Sequence, residues 1–129
     1  MTIDVLIVDD EPHMARLAAL ILEKKAGYQV LTAQSAPQAL AILEHEKPAL
    51  LLCDIMMPEM DGLTLLRKIR ADPRTAELPV IIFTVKGRPQ DRLDAAEAGA
   101  NGYLTKPFSS SQVLAEVARH LPAPVADGR

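Results

Sequence analysis

Aromatic side chains are scarce in this chain. Two tyrosines, two phenylalanines and no tryptophan make up 3% of its 129 residues. Any core must therefore be aliphatic, and a hydrophobic content of 49% supplies enough of it for a single domain. The one cysteine, Cys53, cannot close an intramolecular disulfide, which fits a reducing cytoplasm. Basic residues are not in excess: 14 Lys and Arg against 17 Asp and Glu give a formal charge of −3. Direct nucleic-acid binding through a phosphate-neutralising patch is not expected. No apolar run approaches the roughly 20 residues of a membrane span. The opening Met1-Thr2-Ile3-Asp4 has neither the charged nor the apolar stretch of a secretory leader.

What is present alternates. Ile3 to Val8 is short, apolar and β-branched, as a buried strand is. Pro12 suits a first helical turn, and Met14, Leu17, Ala18, Ile21 and Leu22 recur at helical spacing up to Gly27, a C-cap glycine. Tyr28 to Ala33 reads as a second strand. Ser35 and Gln38 have capping-box spacing before a helix that turns Ala36, Ala39, Leu40 and Leu43 inward. Ala49 to Cys53 is a third strand. Leu63, Leu66 and Ile69 pattern as a helix that Asp72-Pro73 ends, and Val80 to Phe83 is a fourth strand. Pro89 to Ala98 is helical and stopped by Gly99. A short fifth strand leads to Pro107, and Ser109 and Gln112 again have capping-box spacing before the apolar stripe Val113, Leu114, Val117 and Leu121. Such alternation implies a parallel sheet with helices on both faces.

The chemistry lies where the strands stop. Asp9 and Asp10 close the first, Asp54 the third, Thr84 the fourth, and Lys106 follows Gly102 to Thr105. Parallel strands put those ends on one rim, the rim where open α/β sheets bind ligands. A nucleotide fold would place a glycine-rich cradle after its first strand, whereas two carboxylates repel phosphate unless a cation intervenes. With Asp54 they offer the hard oxygen ligands that suit Mg²⁺, and Lys106 can hold a phosphoryl oxygen. A carboxylate beside that metal can itself become an aspartyl phosphate. Taken singly, Asp9, Asp10 and Asp61-Gly62 read as caps or turns, Thr84 as a strand residue and Lys106-Pro107 as a surface turn. Their joint placement is what weakens that reading. His13, His45 and His120 have no ligand-like spacing and read as surface residues; Cys53 reads as core, and Met56, Met57 and Met60 as loop packing.

These residues resemble the receiver domains of two-component response regulators. The resemblance covers residues 3 to 121. It rests on Val8-Asp9-Asp10-Glu11, Asp54 with Met56-Met57-Pro58 and Asp61-Gly62, Thr84, Gly99-Ala100, and Tyr103-Leu104-Thr105-Lys106-Pro107-Phe108. It implies a flavodoxin-like fold of five parallel strands in order 2-1-3-4-5. It implies Asp54 as phosphoacceptor, Asp9 and Asp10 as the acidic Mg²⁺ pair with the Met56 carbonyl as a further ligand, and Lys106 as the phosphate-binding lysine. Thr84 and Tyr103 match the family's switch pair, and the Lys106–Pro107 bond is expected to be cis. One departure stands out: Val85 occupies a position that is usually small, and its bulk is expected to narrow the phosphoryl pocket. Met56 and Lys86 are expected to flank the approach of a hydrolytic water without helping it, which makes a long-lived aspartyl phosphate.

The implied partners are a histidine kinase or phosphotransfer protein and a downstream protein target, met by the face of the fourth helix, fifth strand and fifth helix. A monomer or a weak phosphorylation-dependent dimer is expected. The chain would catalyse only its own phosphorylation and dephosphorylation. Residues 1–121 form the expected domain; Pro122 to Arg129, aperiodic, reads as a mobile tail or the start of a linker. Three rivals differ at identifiable positions. A haloacid-dehalogenase-type hydrolase needs an acid where Met56 stands, and a flavodoxin-like flavin carrier needs a Ser/Thr/Gly-rich loop where Asp9-Asp10-Glu11 stands. An interaction module independent of phosphate would not need the acceptor and metal positions, all of which are filled.

Overall fold

Every residue of β1 (Val5–Val8) and β3 (Leu50–Cys53) is buried, as central strands covered on both faces must be. The computed structural model describes residues 3–85 and 89–121. Between those strands and around them run α1 (Pro12–Ile21), β2 (Val30–Ala33), α2 (Ala36–Leu43), α3 (Gly62–Ala71), β4 (Val80–Val85), α4 (Pro89–Glu97), β5 (Gly102–Lys106) and α5 (Ser110–Ala118). The sheet is parallel throughout, in the order β2-β1-β3-β4-β5. This is the flavodoxin-like arrangement the resemblance implies.

Strand alternation splits the aliphatic core in two. Val5, Ile7, Leu50, Leu52, Ile81 and Phe83 pack with α1 and α5. Leu6, Val8, Leu51, Cys53, Val80 and Ile82 pack with α2, α3 and Ala95 of α4. No helix among the described residues is long and apolar enough to cross a membrane.

Local signals set the boundaries. Ser35 Oγ accepts from the Gln38 N–H at 3.2 Å, but Gln38 Oε1 accepts from the Gln34 N–H, one residue before the cap. Ser109 and Gln112 make the full reciprocal box. Gly27 ends the first helical segment at φ 80°, after a π-helical turn over Leu22–Ala26.

Some expectations fail in detail. Leu17 is 48% exposed: α1 buries Ala18 and Ile21 as expected, together with Ala15 and Ala19, and leaves Leu17 outside. β2 starts at Val30; Tyr28 is buried, and its hydroxyl donates to the Leu121 carbonyl at 3.2 Å. His120 is half-buried, with Nε2 3.4 Å from Glu116 Oε2. Lys86 and the segment 122–129 lie outside the described residues.

Candidate functional site

Strand register builds the site. Val8 pairs with Cys53, so Asp9 and Asp54 leave adjacent strands side by side. Cys53 pairs with Ile82, which puts Thr84 just beyond them on β4, and Val85 pairs with Lys106 on β5. The result is a polar pocket in an apolar setting: Asp9 is fully buried, Asp54 5% exposed, Thr84 3% and Lys106 7%. Groups so placed must be paired or hydrogen-bonded to be tolerated.

Lys106 supplies the pairing. Its Nζ donates to Asp9 Oδ2 at 2.7 Å and to Asp54 Oδ2 at 3.1 Å. The remaining oxygens accept from backbone: Asp9 Oδ1 from the Glu11 N–H at 2.9 Å, and Asp54 Oδ1 from the Met56 N–H at 3.2 Å. The ammonium also lies 4.7 Å from the centroid of the buried Phe83 ring, a cation–π contact. The Lys106–Pro107 bond is cis, as the resemblance implies.

Burial raises the pKa of the Asp9 carboxyl; the Lys106 bond and the Glu11 N–H oppose this without cancelling it. Burial would lower Lys106, but Asp9 and Asp54 outweigh it and raise its pKa above the usual lysine value. Lysine meets two carboxylates here, whereas Asp9 shares one ammonium and also faces the charge of Asp54. Burial drives the Cys53 thiol far up, so it is an inert core group.

Asp9, Asp10 and Asp54 can bring carboxylate oxygens within 4.8 Å of one another, with Asp10 exposed at the solvent side. One ammonium leaves this group with excess negative charge, and the donors are all hard oxygens. That set fits Mg²⁺. The loop after Asp54 is tightly built. Asp61 Oδ1 caps α3 by accepting from the Thr64 N–H at 2.9 Å, and a Cβ at Gly62 would overlap the Asp54 carbonyl oxygen. Glu59 takes a left-handed φ of 69°, which nothing in the sequence signals. Phe83 beneath the ammonium is likewise invisible in the sequence, because only strand register brings it there.

Two expected site residues stand apart from this network. Thr84 reaches the rim, but among the described residues its hydroxyl makes no hydrogen bond to it. Tyr103 sits half-buried on β5, its hydroxyl enclosed without a partner among the described residues and its ring 4.5 Å from the Arg92 guanidinium. Met56 and Val85 project largely into solvent, at 66% and 60% exposure.

The comparisons agree with this geometry. The family profile of the response regulator receiver domain matches residues 5–118. The chain is 39% identical over 113 residues to the DNA-binding dual master transcriptional regulator RpaA of Synechocystis, covering 88% of this chain and 46% of that one. It thus spans about half the length of that relative. A putative response regulator from Chloroflexus aurantiacus superposes with a TM-score of 0.86 at 36% identity, over 92% of this chain and 97% of the other. The receiver domain of the sensor histidine kinase PA1611 from Pseudomonas aeruginosa, solved with a magnesium ion in its active-site cleft, gives 0.83 at 28% identity, over 93% and 98%. Fold, rim chemistry and relatives converge, and the chain belongs to the response regulator receiver domains of two-component signalling systems.

Proposed function

We propose that the chain accepts a phosphoryl group on Asp54 from a phosphohistidine of a histidine kinase or phosphotransfer protein. The observation that carries this reading is the Lys106 ammonium held between Asp9 and Asp54 at 2.7 and 3.1 Å, inside a cluster of three carboxylates. An Asp54 oxygen bonds to phosphorus as the donor's P–N bond breaks, and the departing imidazole nitrogen takes a proton from water. Mg²⁺, when bound, neutralises the phosphoryl oxygens and lets three carboxylates approach an anionic group. Asp9, Asp10, Asp54 and the Met56 carbonyl would hold it. Lys106 leaves its carboxylate pairing to bind a phosphoryl oxygen, and the Met56 N–H orients the acceptor carboxylate. The chain acts on no other substrate, and its work is done in the cytoplasm.

Thr84 and Tyr103 convert the event into a change of surface. The Thr84 hydroxyl has no bond to the network to give up, so a phosphoryl oxygen draws it inward, and Tyr103, whose enclosed hydroxyl has no partner among the described residues, fills the space it leaves. The α4–β5–α5 face meets the downstream target, with the protein monomeric or weakly dimeric when phosphorylated. Residues 1–121 form the receiver and 122–129 a tail or linker. The test is labelling with a phosphodonor, with and without Mg²⁺, and location of the label by borohydride trapping and mass spectrometry. Labelling is expected at Asp54 alone. Efficient labelling of Asp54→Ala, or full labelling in EDTA, overturns the reading.

A further inference from the structure

At the opposite end of the sheet from the rim, Arg70 near the end of α3 uses every N–H it has. A guanidinium carries five N–H donors, and here five bonds are made. Nη1 donates to the carbonyls of Ala76 at 3.2 Å and Leu78 at 2.7 Å, which lead into β4. Nε and Nη2 donate to the Gly99 carbonyl at 3.2 and 2.9 Å, and Nη2 also reaches Asn101 Oδ1 at 2.8 Å. Asn101 passes the tie onward: its Oδ1 accepts from the Val80 N–H at 2.8 Å, and its own N–H donates to the Val80 carbonyl at 2.7 Å. One side chain thus joins α3, the entry to β4, the end of α4 and the entry to β5.

α4 is otherwise loosely held. Among its described residues only Ala95 is buried, and Leu93 is 58% exposed, whereas α1 and α3 each bury four residues. Two residues after α4 ends, Gly99 turns at φ +105°, and a Cβ there would press on Arg70 Nε at 3.0 Å. The helix therefore has a fixed lower end and a lightly packed body. Tyr103, two residues beyond Asn101, has its hydroxyl enclosed without a partner among the described residues, a costly placement that a change of position would relieve.

We infer that Arg70 is a positioning residue for the switch: it clamps the lower ends of β4, α4 and β5 to α3, so that phosphorylation swings α4 about Gly99 and displaces Tyr103. Without the clamp, α4 and the start of β5 shift together and less of the change reaches Tyr103. The inference rests on the reading of Asp54, Thr84 and Tyr103 given above, and the clamp itself does not. Arg70→Lys keeps the charge but loses the fork. Asn101→Asp keeps the acceptor that both Arg70 and Val80 use.

The experiment is amide hydrogen exchange on the full chain for wild type and both variants, without ligand and with beryllofluoride and Mg²⁺. Without ligand, the Val80, Ala100 and Asn101 amides of Arg70→Lys are expected to exchange about tenfold faster or more, with the Asp9 and Asp54 amides unchanged and Asn101→Asp like wild type. With beryllofluoride, wild type should respond along α4 and at Tyr103 but not at residues 99–101. In Arg70→Lys the response should spread into 99–101 and fall at Tyr103. Uniform acceleration that includes Asp9 and Asp54, or none, overturns the clamp. A wild-type response centred on 99–101, or an undiminished Tyr103 response in Arg70→Lys, overturns the pivot. A wild type that fails to respond at Asp54 overturns the phosphoacceptor reading and the switch role with it, and the ligand-free comparison still judges the clamp.

Discussion

Replacing Lys106 with methionine keeps much of the side chain's length and removes its charge. Asp9, fully buried, and Asp54, 5% exposed, then face each other with no cation. At an effective dielectric near 20, each contact at about 3 Å is worth roughly 5 kcal/mol before desolvation. The ammonium's own desolvation offsets several kcal/mol of that, leaving a net loss of about 3–5 kcal/mol for the metal-free protein, typical of a buried pair stripped of one partner. Burial alone would lower Lys106, but Asp9 and Asp54 hold its pKa above the ordinary 10.5. Its contribution is therefore complete at neutral pH and lost as pH rises through that elevated value, so the gap between wild type and variant narrows in strong alkali. Mg²⁺ provides the second arm. With the competing ammonium gone, the carboxylates should hold the ion more tightly, and each tenfold gain in affinity adds about 1.4 kcal/mol at saturating metal. Urea denaturation at pH 7, with EDTA or with excess Mg²⁺, measures both quantities. A variant within 1 kcal/mol of wild type in EDTA, or an equal Mg²⁺ effect on both proteins, refutes the reasoning.

Asp54→Asn should do the reverse in the absence of metal, since one ammonium then meets one buried carboxylate; a gain of about 1–2 kcal/mol in urea is expected, and a loss would contradict the charge imbalance described. Gly62→Ala drives a methyl into the Asp54 carbonyl and should cost about 3 kcal/mol and slow Asp54 labelling; an unchanged midpoint would mean the loop yields freely. Glu59→Gly relieves a left-handed φ of 69° and should raise stability by about 0.5–1 kcal/mol in thermal melts, with a fall excluding strain there. Met56→Asn sets a hydrogen-bonding amide at the exposed mouth of the site and should speed first-order decay of the phosphorylated protein; an equal or slower rate removes Met56 from control of hydrolysis.

Much of this protein is readable in one dimension because its signals are local. An apolar run that stops at an acid or a lysine marks a strand end, and parallel strands bring all their ends to one rim. Asp9, Asp10, Asp54, Thr84 and Lys106 could thus be gathered without coordinates. The caps at Ser35, Asp61 and Ser109 and the stops at Gly27 and Gly99 are equally local, each concerning bonds within a few residues. Tertiary structure decided whatever depends on register and on how closely helices approach the sheet. Helical spacing favours Leu17 along with Ala18, but the fold buries Ala15 and Ala19 beside Ala18 and leaves Leu17 exposed. Strand register alone put the Lys106 ammonium between two carboxylates and over Phe83. The partners of Arg70 are separated from it by up to 31 residues, and no pattern in the sequence distinguishes it from its exposed neighbour Arg67. A side chain's local environment is written in its neighbours along the chain; its distant partners exist only once the sheet has closed around them.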